Sequence, residues 1–304
     1  MLISMDHGNK QCKLVRSEPF ISGLSESEVR PFGPDVLKYG DKYYQISDQR
    51  IPYRRDKTED DRFFILTLFG IANEIEAASA YAPGIIRVQL AVGLPPAHYG
   101  AQNAKFIQYF SGRGVVSFFY RDKPYSILID DVACYPQSYA AAASMLQTLT
   151  TVPLALVVDI GGYTMDYIRI KRGRGDLVSC DSLENGVIML YNRIISKVRA
   201  AQDILLTEEE IDAVLLGQSV QGLQSVIPVV ERCAQEFVSD LLSALRERQL
   251  ELRTAPVVFV GGGSILLKRH IEQSGKVAHP MFVEDIRANV KGYETLYRVA
   301  QSSR

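Results

Sequence analysis

One pattern is written twice in this chain and leaves few folds open to it. An apolar run ends at an aspartate, a glycine-bearing loop follows, and a second run leads the chain back. The first copy runs through residues 1–5 into Asp6-His7-Gly8-Asn9 and leaves by 12–15. The second runs through 154–158 into Asp159-Ile160-Gly161-Gly162 and leaves along Met165, Tyr167 and Arg169. Each reads as a β-hairpin with a polar tip. A further apolar run, 257–260, meets Gly261-Gly262-Gly263-Ser264 and turns into a helix.

The restart at Thr150-Thr151-Val152-Pro153 suits a chain of 304 residues, longer than one core usually organises. The predicted division is 1–152 and 153–283, with the closing segment 284–304 packing back on the first domain. Within the first half, 35–46 predicts a hairpin around Tyr39-Gly40-Asp41. Phe64, Leu68, Ile71 and Ile75 mark a helix over 59–80, stopped by Pro83-Gly84. A strand over 85–92, a turn at Pro95-Pro96, a helix over 98–110 and two strands meeting near Asp122-Lys123-Pro124 follow. Residues 137–149 predict a helix in which Ala140 to Ala143 are small enough for close helix packing. In the second half, helices are predicted over 186–200, 207–216 and 222–250. The middle one is opened by a Thr207/Glu210 capping box. A last helix is predicted over 284–299.

Composition enters mainly by exclusion. A net charge of -1 supplies no general basic field, so direct binding of nucleic acid is not expected. No apolar run approaches the roughly 20 residues that span a bilayer, and no leader pattern opens the sequence, so a cytoplasmic, membrane-free location is expected. Cys12, Cys134, Cys180 and Cys233 lack metal-pair spacing and read as reduced thiols. The four histidines, His7, His98, His270 and His279, show no ligand spacing and read as structural.

The glycine loops carry the chemistry. Glycine lets backbone N–H groups approach a phosphate closely. The aspartates need another explanation, because a carboxylate beside a polyphosphate repels it. Asp6 and Asp159 make sense if a hard divalent cation, Mg²⁺, stands between them and the phosphates. Taken singly, each loop is more often an ordinary hairpin or tight turn than a phosphate site.

Taken together and in this order, the loops resemble those of the actin-like ATPases. Asp6-His7-Gly8-Asn9-Lys10-Gln11-Cys12-Lys13 is similar to the family's first phosphate loop, with Lys13 seven residues after the aspartate. The segment Val158-Asp159-Ile160-Gly161-Gly162-Tyr163-Thr164-Met165-Asp166 is similar to the second, and Phe259-Val260-Gly261-Gly262-Gly263-Ser264 to the adenosine loop. Tyr135-Pro136-Gln137-Ser138 resembles the start of the family's first connecting helix. Asp166 and the ending Ala288-Asn289-Val290-Lys291-Gly292-Tyr293 resemble the ParM type, which segregates plasmids. Asn9 stands where many relatives have Ser or Thr. Tyr163 replaces a small residue, and Gln137 is the actin-type choice where many bacterial relatives have Glu.

The resemblance implies an α/β fold of two ribonuclease-H-like domains with a nucleotide cleft between them. It implies ATP, with GTP as the alternative, and Mg²⁺ held by Asp6 and Asp159. Gly8, Asn9, Lys13, Gly161, Gly162, Tyr163, Thr164, Asp166, Gly261, Gly262, Gly263 and Ser264 become the nucleotide contacts. Gln137, Asp6 and Asp159 become the catalytic group. A neutral amide orients water but accepts protons poorly, so hydrolysis should be slow. The implied role is an ATPase that assembles head to tail into filaments and segregates plasmid DNA through a small DNA-binding adaptor. The alternatives are a cell-shape or division filament and a sugar- or acetate-type kinase of the same superfamily, although no second-substrate site is recognisable.

Overall fold

The computed structural model describes residues 1–302, which divide into two compact units, 1–144 with 287–302 and 145–286. In the first unit, β1 (Leu2–His7), β2 (Gln11–Leu14), β3 (Phe20–Ile21) and β4 (Gly23–Ser27) precede the hairpin of β5 (Leu37–Tyr39) and β6 (Lys42–Arg50). Next come α1 (Arg62–Ala77), β7 (Ile85–Leu94), α2 (Pro96–Phe110), β8 (Val115–Tyr120) and β9 (Lys123–Pro136). These strands form one sheet in the order β3-β2-β1-β7-β9-β8-β5-β6-β4. Strand β1 pairs antiparallel with β2 and parallel with β7, which pairs parallel with β9.

The second unit opens with a short helix, α3 (Leu146–Thr150), and then β10 (Ala155–Ile160), β11 (Met165–Lys171) and β12 (Arg174–Leu183). Helices α4 (Val187–Gln202), α5 (Glu208–Leu215) and α6 (Ile227–Glu247) precede β13 (Val257–Val260), α7 (Gly262–Gln273) and β14 (Pro280–Phe282). Its sheet runs β12-β11-β10-β13-β14, with β10, β11 and β12 antiparallel and β10, β13 and β14 parallel. The first five strands of the large sheet have the same order and directions. Both units are therefore built on the ribonuclease-H-like plan. The final helix, α8 (Ala288–Ser302), lies with the first unit.

Local chemistry explains many of the boundaries. Helix α1 is buried continuously from Phe63 to Ala72, as a helix enclosed by its own core should be. Pro96 sits in the first turn of α2, where its missing N–H costs nothing. Thr207 and Glu210 form the reciprocal capping box at α5. No helix among the described residues is long and apolar enough to cross a membrane.

Two expectations need correction, and four strands carried no signal in the sequence. The predicted helix over 137–149 is instead a run of turns, a 3₁₀ turn at Ala143–Met145 and the five-residue α3. Ser138 adopts a left-handed φ of +61°, which a regular helix cannot contain. Strands β3, β4, β12 and β14 carry no clean alternation and were not legible as strands. The last helix starts at Ala288, later than predicted, and positions 303–304 of the predicted closing segment lie outside the described residues.

Candidate functional site

In the first unit, the site is assembled at the carboxyl ends of neighbouring parallel strands, where α/β sheets commonly bind ligands. Asp6 is buried near the end of β1 and faces Lys13 across the hairpin in register. Its Oδ1 accepts a hydrogen bond of 2.7 Å from Gln137 Nε2, joining residues 131 positions apart. Gln137 follows β9, and its N–H donates to Leu94 O, at the end of β7, at 2.8 Å. The two side chains meet because β1 and β9 both flank β7. Among the described residues, Lys13 has no hydrogen-bond or ion-pair partner, which leaves its ammonium for an anion. Asn9 lies half-buried at the hairpin tip, and a Cβ on Gly8 would stand 2.6 Å from Gln11 O.

Two buried groups hold this hairpin from beneath. Lys57 donates to His7 O and lies 5.4 Å from the centre of the Phe63 ring. No sequence signal marks Lys57, since a lone lysine in a polar stretch reads as solvated. His7 is fully buried, stacked at 5.5 Å on Phe110, with Nε2 2.7 Å from Thr67 Oγ1. Thr67 donates its own proton to Phe63 O at 2.7 Å, so it accepts from His7 Nε2–H, which assigns the tautomer.

Burial, and then the Lys57 charge, push the His7 pKa down to about 3. Since the unfolded value lies near 6.5, the unfolded chain binds the extra proton between these limits. Stability is therefore lost as pH falls below about 6.5, by up to about 1.4 kcal/mol per pH unit from this group. Urea unfolding of wild type and His7→Gln between pH 7 and 5 should show the shallower pH dependence in the variant. Equal slopes would remove His7 from this role.

In the second unit, Asp159 is buried near the end of β10, and Asp166 stands directly opposite it on β11. Between them lies the loop Gly161 to Thr164, closed by Gly161 N–H to Thr164 O at 2.9 Å. The carbonyls of Gly161, Gly162 and Tyr163 accept from the N–H groups of Val187, Ile188 and Gly186, at 3.1, 2.9 and 3.0 Å. These bonds satisfy donors that the first turn of α4 would otherwise leave open. In a trans peptide, C=O and the following N–H point in opposite directions. The N–H groups of Gly162, Tyr163 and Thr164 are therefore turned away from α4. Gly186 is essential to this docking, because a Cβ there would stand 2.3 Å from Gly162 O. Thr164 Oγ1 donates to Asp166 Oδ2 at 3.0 Å, so part of Asp166's role is to brace its own hairpin.

The third loop follows β13, which pairs with β10 so that Val260 neighbours Asp159. Gly261 has φ +87°, and a Cβ on it would stand 2.2 Å from Asp159 Oδ1. Gly262 opens α7 with nothing within 4 Å of a built Cβ, whereas Gly263 is packed on Ile160 and Val187. Ser264 is fully buried and its hydroxyl donates to Val260 O at 2.5 Å, so it holds the loop and has no exposed hydroxyl to offer.

The structure thus joins Asp6, Lys13 and Gln137 in one unit, and Asp159, the 161–164 loop, Asp166 and the 261–263 loop in the other. No group of three or more His, Cys, Asp or Glu side chains among the described residues is placed to hold a metal. The donor set fits Mg²⁺ bound by isolated carboxylates, phosphate oxygens and water, and it does not fit a protein-only cage. Cys12 and Cys134 are buried thiols with pKa values raised to about 12, chiefly by desolvation, and are unreactive.

Residues 4–139 match the family model for the N-terminal domain of actin-like proteins. Residues 157–273 match that for the C-terminal part of archaeal MreB-like actin homologues. The chain belongs to the actin-like family. Among solved structures, this actin-like chain is similar to the archaeal actin homologue Ta0583, with 17% identity over 98% of this chain and 99% of that one, and a TM-score of 0.75. It is similar to the apo psk41 ParM protein, with 15% identity, coverage of 99% and 98%, and a TM-score of 0.72. A 15-stranded ParM filament from Clostridium botulinum matches with 16% identity, coverage of 98% and 99%, and a TM-score of 0.70. Ta0583 is also known in complex with ADP, and that form matches with a TM-score of 0.73 and 16% identity. At these identities the solved structures establish the two-domain actin-like fold. No curated protein matches the sequence.

Proposed function

We propose that this actin-like protein binds Mg-ATP, hydrolyses it slowly and assembles head to tail into filaments that segregate DNA through a small DNA-binding adaptor. The observation that carries the catalytic part is the 2.7 Å bond from Gln137 Nε2 to Asp6 Oδ1. It fixes which end of the amide faces the carboxylate, and so leaves Oε1 as the acceptor for a water proton. An oriented amide positions water without removing its proton outright, which suits slow turnover.

Lys13 and the amides of Gly162, Tyr163 and Thr164 would hold phosphate oxygens. Gly261 and Gly262 would lie along the adenosine. Asp6 and Asp159 would carry Mg²⁺, which when bound offsets phosphate charge and polarises the reacting phosphoryl group. The known ParM filament and the Ta0583 complex with ADP support reading the fold this way. Head-to-tail association follows from the need for an open polymer, because a heterologous interface that does not close yields a filament.

The test is light scattering of purified protein. Scattering should rise when ATP and Mg²⁺ are added, only above a threshold protein concentration, and decay as ATP is consumed. Gln137→Ala should retain nucleotide but hydrolyse it roughly 10²-fold more slowly, the contribution of one positioning group, and its scattering should persist accordingly. Flat scattering at all concentrations, with nucleotide bound, would exclude the filament and favour a phosphotransferase.

A further inference from the structure

Asn289, Gly292 and Tyr293 stand at positions i, i+3 and i+4 of α8 and so share one face of that helix. All three are directed at the short segment that carries Gln137. Asn289 Oδ1 accepts the Ser138 N–H at 3.0 Å, and this bond is buried. A Cβ on Gly292 would stand 1.9 Å from Ala140 O, so helix and turn meet backbone to backbone. Tyr293 is fully buried, with its ring parallel to that of Tyr135 at 6.3 Å, the two planes differing by 14°. Its hydroxyl end occupies the space where a side chain on Gly93 would be, since a Cβ there would lie 2.2 Å from Oη. The next residue after Gly93, Leu94, accepts the Gln137 N–H. The contacts therefore bracket Gln137 on both sides, at Tyr135 before it and at Ser138 and Ala140 after it.

Of these contacts, the one with Ser138 is the side-chain bond into a turn that backbone bonds also close, from Tyr139 N–H to Gln137 O at 2.5 Å and from Ala140 N–H to Pro136 O at 3.1 Å. Ser138 holds a left-handed φ of +61°, a state costly for any residue other than glycine and kept only where the surroundings impose it. Its own side chain does not impose it: among the described residues, the buried Ser138 Oγ has no hydrogen-bond partner. A polar anchor for the turn comes from Asn289. Without that anchor, the Ser138 N–H would be buried and unsatisfied, and relaxing φ would swing the preceding peptide and the Gln137 side chain with it.

We propose that Asn289 is a positioning residue for hydrolysis, acting through the Ser138 N–H to keep the Gln137 amide on Asp6. The inference rests on the reading of Gln137 as the group that orients water. Helix α8 is thereby more than a closing element of the first unit, because its first turn sets the geometry of a residue 152 positions earlier.

The test compares Asn289→Ala with Asn289→Asp, which keeps an acceptor in the same place, each alone and combined with Gln137→Ala. Asn289→Ala should slow ATP hydrolysis on the order of 10- to 100-fold, the effect of a misplaced catalytic group, with nucleotide Kd changed less than about twofold. Asn289→Asp should recover most of the rate. In the Gln137→Ala background, Asn289→Ala should add nothing further, because the two act on one step. Independently of activity, hydrogen exchange of the Ser138 amide in nucleotide-free protein should be protected in wild type and in Asn289→Asp, and lose that protection in Asn289→Ala. If Asn289→Ala does not fold, Asn289→Ser withdraws the acceptor more gently and takes its place. A wild-type rate in Asn289→Ala, or a full additional loss in the Gln137→Ala background, overturns the inference while leaving the role of Gln137 intact. A wild-type rate in Gln137→Ala overturns both.

Discussion

Asp159→Ala should remain folded and lose Mg-dependent ATP hydrolysis, by at least about 10³-fold, because it removes the carboxylate proposed to offset cation charge next to the phosphates. The residue is buried near the end of β10, opposite Asp166 and beside the 161–164 loop whose amides are turned away from α4. In that setting a carboxylate is unfavourable for a bare nucleotide and favourable for its magnesium complex. The variant should therefore also lose the preference for Mg-ATP over metal-free ATP, a sharper sign than loss of rate alone. Phosphate release and nucleotide titrations with and without Mg²⁺ measure both quantities. Normal turnover with an unchanged Mg²⁺ dependence would sink the assignment of this loop.

Gly261→Ala should combine a stability defect with a binding defect. The backbone at Gly261 has φ +87°, which alanine adopts at a cost of about 1–3 kcal/mol. The added methyl would stand 2.2 Å from Asp159 Oδ1 and 2.8 Å from Ile160 O, so the Asp159 side chain has to move. A loss of about 3 kcal/mol corresponds to a melting temperature lowered by about 6–12 °C for a unit of this size. Nucleotide affinity should fall at least about tenfold, since the displaced carboxylate is the one proposed to hold the cation. Gly262→Ala is the contrast: nothing lies within 4 Å of its built Cβ, so stability should be unchanged while nucleotide affinity falls if that open side faces the ligand. Thermal melts and nucleotide titrations on both variants separate the two effects. Equal stability of Gly261→Ala and wild type would show that the loop tolerates a side chain and that its glycine is not required.

The elements with strong local signatures were legible in advance, for identifiable reasons. The run at 257–260 is short, continuously apolar and fully buried, as central parallel strands are, and it appears as β13, whereas that at 85–92 is interrupted by the exposed Arg87 and Gln89 and becomes buried only towards the carboxyl end of β7. Thr207 with Glu210 is a signal contained within one helical turn, and it opens α5 as expected. The antiparallel hairpins at Asp6 and Asp159 were readable because alternation and turn chemistry are also local. Strand β12 was missed because its residues are half-buried or exposed, with no single apolar face for periodicity to reveal. The helix predicted over 137–149 failed for the opposite reason: its alanines have the highest helix propensity, but a propensity of fractions of a kcal/mol per residue is about what one buried tertiary contact can override. The bond from Ser138 N–H to Asn289 and the packing of Gly292 on Ala140 O hold that segment in turns.

By itself, the sequence determined the repeated strand–loop–strand plan, the three glycine loops and the identity of the acidic residues at their strand ends, all of which depend on neighbours a few positions apart. Tertiary structure alone decided which of those residues meet. Asp6 and Gln137 are brought together by the order β1-β7-β9, Lys57 reaches the carbonyl of His7 across 50 positions, and Asn289 reaches Ser138 across 151. Such pairings have no period and no local spacing, and they exist only once the sheet order and the docking of α8 have closed the chain on itself. The energy that selects them is the cost of leaving a buried donor or acceptor unmet, a quantity with no meaning until burial is known.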